Sequence, residues 1–253
     1  EVQHIRLTVP TAEVIAVEDP FPEMRASKTA HELSAISMAL EMSEAVFNGV
    51  LNMIREGVTE KDIAAEIDHQ HRLRGASGPA FDTIVAFSEN AALPHARPCE
   101  RALKKGDTIL MDFGGVVDGY HSDITRTVSF GRADKEFLEA YQAVKQSLEA
   151  ATEYAEAGVQ GVTLDRVARD VLTRHGYGAR FTHSLGHGVG LEIHEYPSVS
   201  QRNPSPLPMD CVVTLEPGVY LEGHFGIRIE NMVHLRKGTC DTLNTLSTDL
   251  AVL

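Results

Sequence analysis

The chain has 253 residues, of which 43% are hydrophobic and 23% are charged, and its formal net charge is −13. These values are typical of a globular protein, and the length allows a large core within one domain. Binding to nucleic acid requires a basic face, so the acidic balance argues against a nucleic acid partner. The longest apolar runs are too short to cross a membrane, so we expect no membrane partner.

Cysteine usage points to a reducing environment. The three cysteines, Cys99, Cys211 and Cys240, show no CxxC spacing and cannot all pair within one chain. We therefore expect a cytoplasmic protein without a structural zinc cluster. The chain shows no secretory leader, but it does not begin with methionine. It therefore reads as a fragment, and the missing leader adds little.

Residues 1–28 differ from the rest of the chain. They contain a short strand-like piece over 14–17, followed by the proline-broken stretch at 19–22. Such a stretch is typical of a linker. We predict that residues 1–28 are a linker or the remnant of a missing N-terminal domain, and that residues 29–253 form one catalytic domain.

The first half of that domain begins with helices. Apolar residues at helical spacing predict a helix over 29–55. Thr59 and Asp62 form a capping-box pattern that opens a second helix. A strand is predicted over 81–87, and a loop over 88–99 contains His95. A hairpin follows, with strands over 108–113 and 123–130 and a turn at Asp118-Gly119.

The second half repeats this order. A long helix is predicted over 133–157, a shorter one from Thr163, and two strands over 211–216 and 225–235. The phrase GVT occurs at 57–59 and again at 161–163, each time near the start of a helix pattern. Helices preceding an antiparallel hairpin, twice, predict an α+β fold with internal duplication and pseudo-twofold symmetry.

Each predicted hairpin carries acidic residues among apolar neighbours. With the turn at Asp118-Gly119, Asp112 lies opposite Thr125, and Asp123 is a diagonal neighbour on the same face. Exposure of both acids on a solvated sheet face is the alternative. Asp is a poor strand former, however, and buried acids are costly unless they are paired or bound to metal.

The second hairpin carries Glu216 on its first strand and Arg228 and Glu230 on its second. A surface pair between Arg228 and Glu230 would contribute little. Taken with the two aspartates, the glutamates make four acids on two equivalent hairpins. Four negative charges balance two divalent cations, which predicts a dinuclear site.

A glycine-punctuated run over 181–197 offers nitrogen ligands. It contains His183, His187 and His194, and glycines at 186, 188 and 190 are expected to let the backbone approach the site. Oxygen-rich ligation with one imidazole suits Mn²⁺, with Co²⁺, Zn²⁺ or Fe²⁺ as alternatives. Such a site favours metal-assisted hydrolysis.

Five motifs carry a resemblance to a known family: HARP (95–98), MDFGG…DGYHSDITRTVSFG (111–131), HSLGHGVGLEIHEYP (183–197), TLEPGVY (214–220) and GIRIEN (226–231). Together they resemble the pita-bread metallopeptidases, and within them the creatinase, prolidase and aminopeptidase P branch. The resemblance implies a pita-bread fold, a homodimer, and cleavage of Xaa-Pro bonds at the N-termini of short proline-containing peptides.

The resemblance also implies a role for each site residue. Its metal ligands match Asp112, Asp123, His187, Glu216 and Glu230. Asp112 would hold one ion, His187 and Glu216 the other, and Asp123 and Glu230 would bridge the two.

The catalytic and substrate-binding residues follow from the same motifs. Glu216 would accept a proton from the attacking water, while His95 and His194 would donate hydrogen bonds to the carbonyl and the oxyanion. His183 would lie near the pocket for the residue after the cleaved bond, and Arg228 would orient the bridging acids.

One departure bears on substrate length. Prolidases often place an arginine directly after the His-Glu-x-Pro run, where it binds the terminal carboxylate of a dipeptide. Here that position is Ser198, and Arg202 lies four residues further on. Strict dipeptidase activity and action on longer peptides therefore both stay open.

Other functions fit the sequence less well. A non-catalytic pita-bread module that binds peptides or proteins would typically have lost metal ligands, whereas this chain keeps all five. A creatine-type hydrolase on the same fold would also lack the full set. A mononuclear iron oxygenase needs two histidines and one acid, and here acids are in excess.

Overall fold

Two copies of a helix–helix–hairpin unit make up most of the molecule. The computed structural model describes residues 2–9, 11–13, 15 and 21–253, so most of the strand predicted over 14–17 and part of the stretch at 19–22 lie outside the described residues. The helices are α1 (Val2–Thr8), α2 (Pro22–Ala26), α3 (Ala30–Leu51), α4 (Glu60–Leu73), α5 (Lys135–Tyr154) and α6 (Gly161–Arg174).

Twelve strands are found in the described residues, together with short 3-10 helices at Ser88–Ala92 and Gly178–Arg180. The strands are β1 (Ile84–Phe87), β2 (Thr108–Phe113), β3 (Val116–Val117), β4 (Tyr120–His121), β5 (Ile124–Ser129), β6 (Gly186–Gly188), β7 (Glu195–Val199), β8 (Val212–Leu215), β9 (Gly218–Leu221), β10 (Phe225–Arg228), β11 (Asn231–Arg236) and β12 (Thr239–Thr242). The α+β prediction is confirmed.

Sequence signals at the helix starts are borne out in part. The capping box of Thr59 and Asp62 opens α4 as predicted, and an unpredicted capping box of Thr29 and Glu32 opens α3. Helix α6 begins at Gly161, two residues before the predicted start at Thr163.

The first hairpin has the predicted register. Asp112 faces Thr125, and Asp118 (φ 50°) and Gly119 (φ 83°) form the turn with positive φ at both positions. The predicted strand over 123–130 is wrong at its start, because Asp123 lies between β4 and β5 and belongs to neither. The predicted strand over 81–87 begins only at Ile84.

The second hairpin is broken at its acids. One register runs from Asn231↔Leu215 in β11 and β8 to Arg228↔Gly218 in β10 and β9, which places Glu216 opposite Glu230. The predicted continuous strand over 225–235 is interrupted at 229–230, and the strand predicted over 211–216 is shortened to Val212–Leu215.

Each half has its own hydrophobic core. In the first half, α3 and α4 bury a cluster that includes Ile36, Phe47 and Ile63 against β2 and β5. In the second half, α5 and α6 cover a five-stranded sheet with the order β12-β11-β8-β6-β7. Strands β6, β7 and β12 were not predicted, because glycine and short polar runs obscure their alternation.

The two halves meet along β5 and β10. Thr127 Oγ1 donates to the carbonyl of Arg228 at 3.0 Å, and the amide of Glu230 donates to the carbonyl of Thr125 at 3.2 Å. The acids of both hairpins therefore face one central seam. Among the described residues, no helix is long and apolar enough to cross a membrane.

Candidate active site

Three predicted ligands converge at the seam. Asp112, Asp123 and Glu230 each offer a carboxylate oxygen, and these oxygens all lie within 4.8 Å of one another. The residues are only 8%, 5% and 1% exposed. The first hairpin supplies both aspartates from one face, and the interruption between β10 and β11 turns Glu230 towards them.

Glu216 and His187 complete the predicted set of five. His187 Nε2 lies 3.4 Å from Glu216 Oε1 and 3.5 Å from Asp123 Oδ2. Thr214 Oγ1 donates to Glu216 Oε1 at 3.1 Å and accepts from the amide of His187 at 3.1 Å. Thr214 therefore fixes both residues relative to strand β8.

The hydrogen bonds of His187 suit a metal ligand. Burial lowers the pKa of His187 to about 4, so the imidazole is neutral near neutral pH. Its Nδ1 lies 3.1 Å from the carbonyl of Gly188, which assigns the ring proton to Nδ1. The lone pair of Nε2 is thereby directed at the acids.

Arg228 and Thr125 hold the acids from across the seam. Arg228 Nη2 donates to Asp112 Oδ2 at 2.5 Å, and Arg228 Nε donates to Thr125 Oγ1 at 3.1 Å. Thr125 Oγ1 in turn donates to Glu230 Oε2 at 2.7 Å. Arg228 thus contacts Asp112 directly and Glu230 only through Thr125.

Burial and mutual repulsion disfavour the ionised forms of the acids. Burial, followed by the charge of Glu230, raises the pKa of Asp123 well above its ordinary value. Burial also raises the pKa of Glu230, and it raises the pKa of Glu216 to about 8. One oxygen each of Asp112 and Glu230 is buried without a hydrogen-bond partner among the described residues. Oxygens left bare in this way fit divalent cations.

The acids lie at the base of a cleft of about 570 Å³, whose lining includes all five predicted ligands. His95 and His194 line the same cleft with exposed side chains. Neither ring forms a hydrogen bond within the part of the chain that the structure describes, so both keep donors free for a ligand. The rings of His187 and His194 lie 4.3 Å apart between centroids.

His183 also lines the cleft, but its ring nitrogens are engaged. Nδ1 lies 2.8 Å from the carbonyl of Ser184, and Nε2 lies 2.8 Å from the hydroxyl of Tyr220. The Tyr220 hydroxyl also accepts from Arg228 Nη1 at 2.7 Å. A chain from Arg228 through Tyr220 therefore orients His183 at the cleft wall.

The glycines of the histidine run lie where neighbouring strands leave no room for a side chain. A Cβ at Gly186 would lie 1.9 Å from the carbonyl oxygen of Thr214, and a Cβ at Gly188 would lie 2.6 Å from that of Tyr196. Gly186 also lines the cleft that holds the acids. Gly186 and Gly188 let β6 approach its neighbours β8 and β7 closely, and the expectation that the glycines bring the backbone towards the acids stays a prediction.

Ser198, which stands where prolidases often carry an arginine, lines the cleft with an exposed side chain. Arg202 is exposed but does not belong to the cleft lining. Arg97 does belong to it, and its side chain has no hydrogen-bond or ion-pair partner among the described residues. No role for Arg97 was predicted from the sequence.

Three further residues of the site were missed. Thr125 and Thr214 donate hydrogen bonds to the predicted ligands Glu230 and Glu216, and Tyr220 contacts His183 and Arg228. Thr214 lies between the buried apolar residues Val213 and Leu215 in a strand, and that pattern was the available signal; Thr125, between Ile124 and Arg126, gave none. Tyr220 closes the TLEPGVY motif, but nothing in the sequence links it to His183.

Comparison with known proteins places the chain in a family. The model of metallopeptidase family M24 matches residues 34–237. The chain belongs to this family. Its fold is therefore the internally duplicated pita-bread fold, and divalent metal ions are the expected cofactors.

Comparisons with individual proteins and solved structures agree with this family assignment. The chain is 36% identical over 234 residues to a Xaa-Pro dipeptidase of Pyrococcus furiosus, which covers 92% of this chain and 67% of the relative. The crystal structure of an X-Pro aminopeptidase from Thermotoga maritima MSB8 is 44% identical, with a TM-score of 0.95 over 99% of this chain and 71% of that one. The prolidase of Pyrococcus furiosus gives a TM-score of 0.88 at 36% identity, over 90% of this chain and 67% of that one. The chain thus spans about two thirds of these relatives.

Proposed function

We propose that the protein is a two-metal exopeptidase that hydrolyses the Xaa-Pro bond at the N-termini of short peptides. The observation that carries the proposal is the convergence of Asp112, Asp123 and Glu230, with ligand oxygens within 4.8 Å of one another. His187 and Glu216 lie beside them. The names of the relatives, Xaa-Pro dipeptidase and X-Pro aminopeptidase, support the bond specificity.

The number and kind of acidic residues support two ions. The set contains four carboxylates, and Arg228 pairs with only one of them, Asp112. Carboxylates are also the ligands that bridge closely spaced ions. Because oxygen ligands predominate over a single imidazole, Mn²⁺ is our proposed metal, with Co²⁺, Zn²⁺ or Fe²⁺ as alternatives.

Each residue of the site has its own role in the proposed reaction. When bound, the two ions would supply an activated water and polarise the scissile carbonyl. Glu216, which lies 3.4 Å from His187 Nε2 at the base of the cleft, accepts the proton of the attacking water once bound ions have displaced its own proton. His95 and His194, which keep free donors, hold the carbonyl oxygen and then the tetrahedral oxyanion. Arg228 and Thr125 hold Asp112 and Glu230 in place.

Arg97 is our candidate for the residue that selects short peptides by binding their terminal carboxylate. A cation without a protein partner at the wall of an acidic cleft suits the terminal carboxylate of a short peptide. Ser198 is neutral and Arg202 lies off the cleft, so neither meets this need. Dipeptides are then accepted substrates, and peptides with a blocked C-terminus are bound more weakly.

A cleavage panel tests the proposal. The purified protein is assayed with Xaa-Pro dipeptides, Xaa-Pro tripeptides, tripeptide amides and Met-Ala peptides, with and without a chelator, and its metal content is measured. We expect chelator-sensitive cleavage of Xaa-Pro bonds only, and about two ions per chain. Arg97→Ala should raise KM for the dipeptide and leave KM for the tripeptide amide unchanged.

The alternative is a non-catalytic module of the same fold that binds peptides or proteins. A protein that takes up no metal after incubation with Mn²⁺ or Co²⁺, and that cleaves none of the panel, would favour this alternative. A cytoplasmic location and a homodimer complete the proposal. The acidic composition and the three free cysteines support the location, and size-exclusion chromatography with light scattering tests the dimer.

A further inference from the structure

An ion pair lies buried behind the histidine run. Lys28 Nζ lies 2.7 Å from Glu195 Oε1, and the side chains are 1% and 2% exposed. The ammonium group also donates to the carbonyls of Arg25 at 2.8 Å and Ala26 at 3.1 Å, so it has three acceptors for its three protons. Every other lysine ion pair in the described residues has an exposed acidic partner.

Glu195 lies where the histidine run folds back on itself. It directly follows His194, and its backbone pairs with Gly188 at a shift of register that begins at His187. A Cβ at Gly190 would lie 2.5 Å from Glu195 Oε1, so the turn between the two histidines folds closely over this carboxylate. The position of Glu195 therefore sets where the turn from His187 to His194 lies.

Lys28 is equally fixed from its own side. Its amide donates to the carbonyl of Asp210 at 2.8 Å, and Ser27 forms a β-bridge with Cys211. Ala26 is fully buried in the core of the second half. The ammonium group is thus anchored to the edge where strand β8 begins.

We propose that Lys28 and Glu195 are a positioning pair that holds His194 at the cleft, an inference that rests on the proposed function. A buried charge pair of this kind contributes little net stability compared with apolar side chains, but loss of one partner leaves an uncompensated charge. Without Lys28, Glu195 turns towards water and carries the neighbouring His194 with it. The segment preceding α3 is thereby part of the catalytic machinery.

Lys28→Met tests the pair, because it keeps the length of the side chain and removes the charge. We expect kcat on an Xaa-Pro tripeptide to fall about tenfold or more, with KM and metal content within about twofold of wild type. Lys28→Arg, which keeps charge and donors, should recover most of kcat. The control is Lys135→Met, which removes the exposed partner of Glu139 and should change nothing.

A double-mutant cycle separates positioning from general destabilisation. Adding Lys28→Met to His194→Ala should cause little further loss of kcat, because the two changes act through one residue. If the two substitutions acted independently, their fold losses of kcat would multiply in the double variant. Hydrogen exchange gives a second readout that needs no activity: amides at 190–195 should exchange faster in Lys28→Met, and those of α5 should not.

The outcomes are distinct. A folded Lys28→Met with unchanged kcat, a loss of metal in proportion to kcat, or multiplicative effects in the cycle would overturn the pair. If Lys28→Met does not fold, Lys28→Met with Glu195→Gln, which leaves no uncompensated charge, takes its place under the same criteria. A wild-type protein that cleaves no Xaa-Pro substrate refutes the proposed function, and hydrogen exchange alone then decides on the pair.

Discussion

The two halves of the molecule hold one acid of each other, but they do not hold all four acids alike. Asp112 accepts from Arg228, and Glu230 accepts from Thr125, so each half supplies the donor for an acid of the other. Asp123 accepts no hydrogen bond through its carboxylate from any described residue, and the neutral ring of His187 lies 3.5 Å from its Oδ2. Docking of the halves therefore gives Asp112 and Glu230 one hydrogen-bonded oxygen each and gives Asp123 none, so Asp123 depends most on a bound cation.

The largest effect should come from testing that dependence. Asp123→Asn should abolish metal loading and turnover, because a neutral amide cannot bridge two cations. It should also stabilise the metal-free protein, since it removes a buried charge that burial and Glu230 disfavour. Each kcal/mol gained would raise the unfolding midpoint by about 2–4 °C.

Metal analysis, turnover and thermal unfolding with chelator present check this prediction. Asp118→Asn is the matched control, because Asp118 is exposed in the hairpin turn, where asparagine is also favoured. Asp118→Asn should change none of the three measurements. An Asp123→Asn protein that still loads metal would remove Asp123 from the ligand set.

The second prediction compares a histidine of the cleft, His194, with a histidine of the surface, His224. His194→Ala should retain metal but lower kcat about 10²–10³-fold, because a free donor at the oxyanion is lost while the acids stay in place. His224→Ala is the control, since His224 is exposed between β9 and β10. Steady-state kinetics with metal analysis measures both. Normal turnover by His194→Ala would exclude that residue from the reaction.

Much of this arrangement was predictable from the sequence. The Asp-Gly turn fixed the first register, and with it the shared face of Asp112 and Asp123. The repeated helix and hairpin signals predicted the fold class. The resemblance to the family supplied the five ligands, which the structure brings to one cleft.

The rest depends on long-range contacts that no local pattern contains. The hydrogen bond from Thr125 to Glu230 joins residues 105 positions apart, and the pair of Lys28 and Glu195 joins residues 167 apart. Strand β6 was missed because its glycines pack against neighbouring strands, and periodicity does not show such packing. The breaks at Asp123 and Glu230 were missed because strand patterns run through them.

The third prediction concerns pH. The folded-state pKa of Glu216 is raised to about 8, above its ordinary 4.5, so its contribution to the stability of the metal-free protein is present below 4.5 and is lost as pH rises through about 8. The lowered pKa of His187 acts oppositely, but only below its ordinary value of 6.5. Between about pH 6.5 and 8.5 the acids therefore dominate the slope.

In that window the metal-free protein should become less stable as pH rises, while the stabilisation by Mn²⁺ should grow. The metal competes with protons for Glu216, so its affinity should increase up to about tenfold per pH unit for each proton displaced, levelling off above pH 8. Thermal unfolding with and without Mn²⁺, and calorimetry in two buffers of different ionisation enthalpy, measure both trends. Stabilisation by Mn²⁺ that is independent of pH would contradict the assignment of a protonated acid at the site.

The two halves also correspond at their second helices. Near the start of its second helix, each half buries a carboxylate that holds a loop of the site. Glu60 accepts from the amides of Phe87 and Cys99 at 2.7 and 3.0 Å, which closes the loop that carries His95. Asp165 accepts from the amide of Leu185 at 3.0 Å and pairs with Arg169.

Glu60→Gln should cost about 1.5–3 kcal/mol of stability, because the amide cannot accept at both of its ends. With the loop less fixed, kcat should fall about threefold to tenfold with metal content unchanged, since His95 is displaced and no ligand is touched. Asp165→Asn should instead raise KM, because Arg169 also donates to the carbonyl of His183, at 2.8 Å. A loss of stability with unchanged kcat and KM in both variants would mean that both carboxylates serve folding alone, and denaturant unfolding beside the kinetics distinguishes these results.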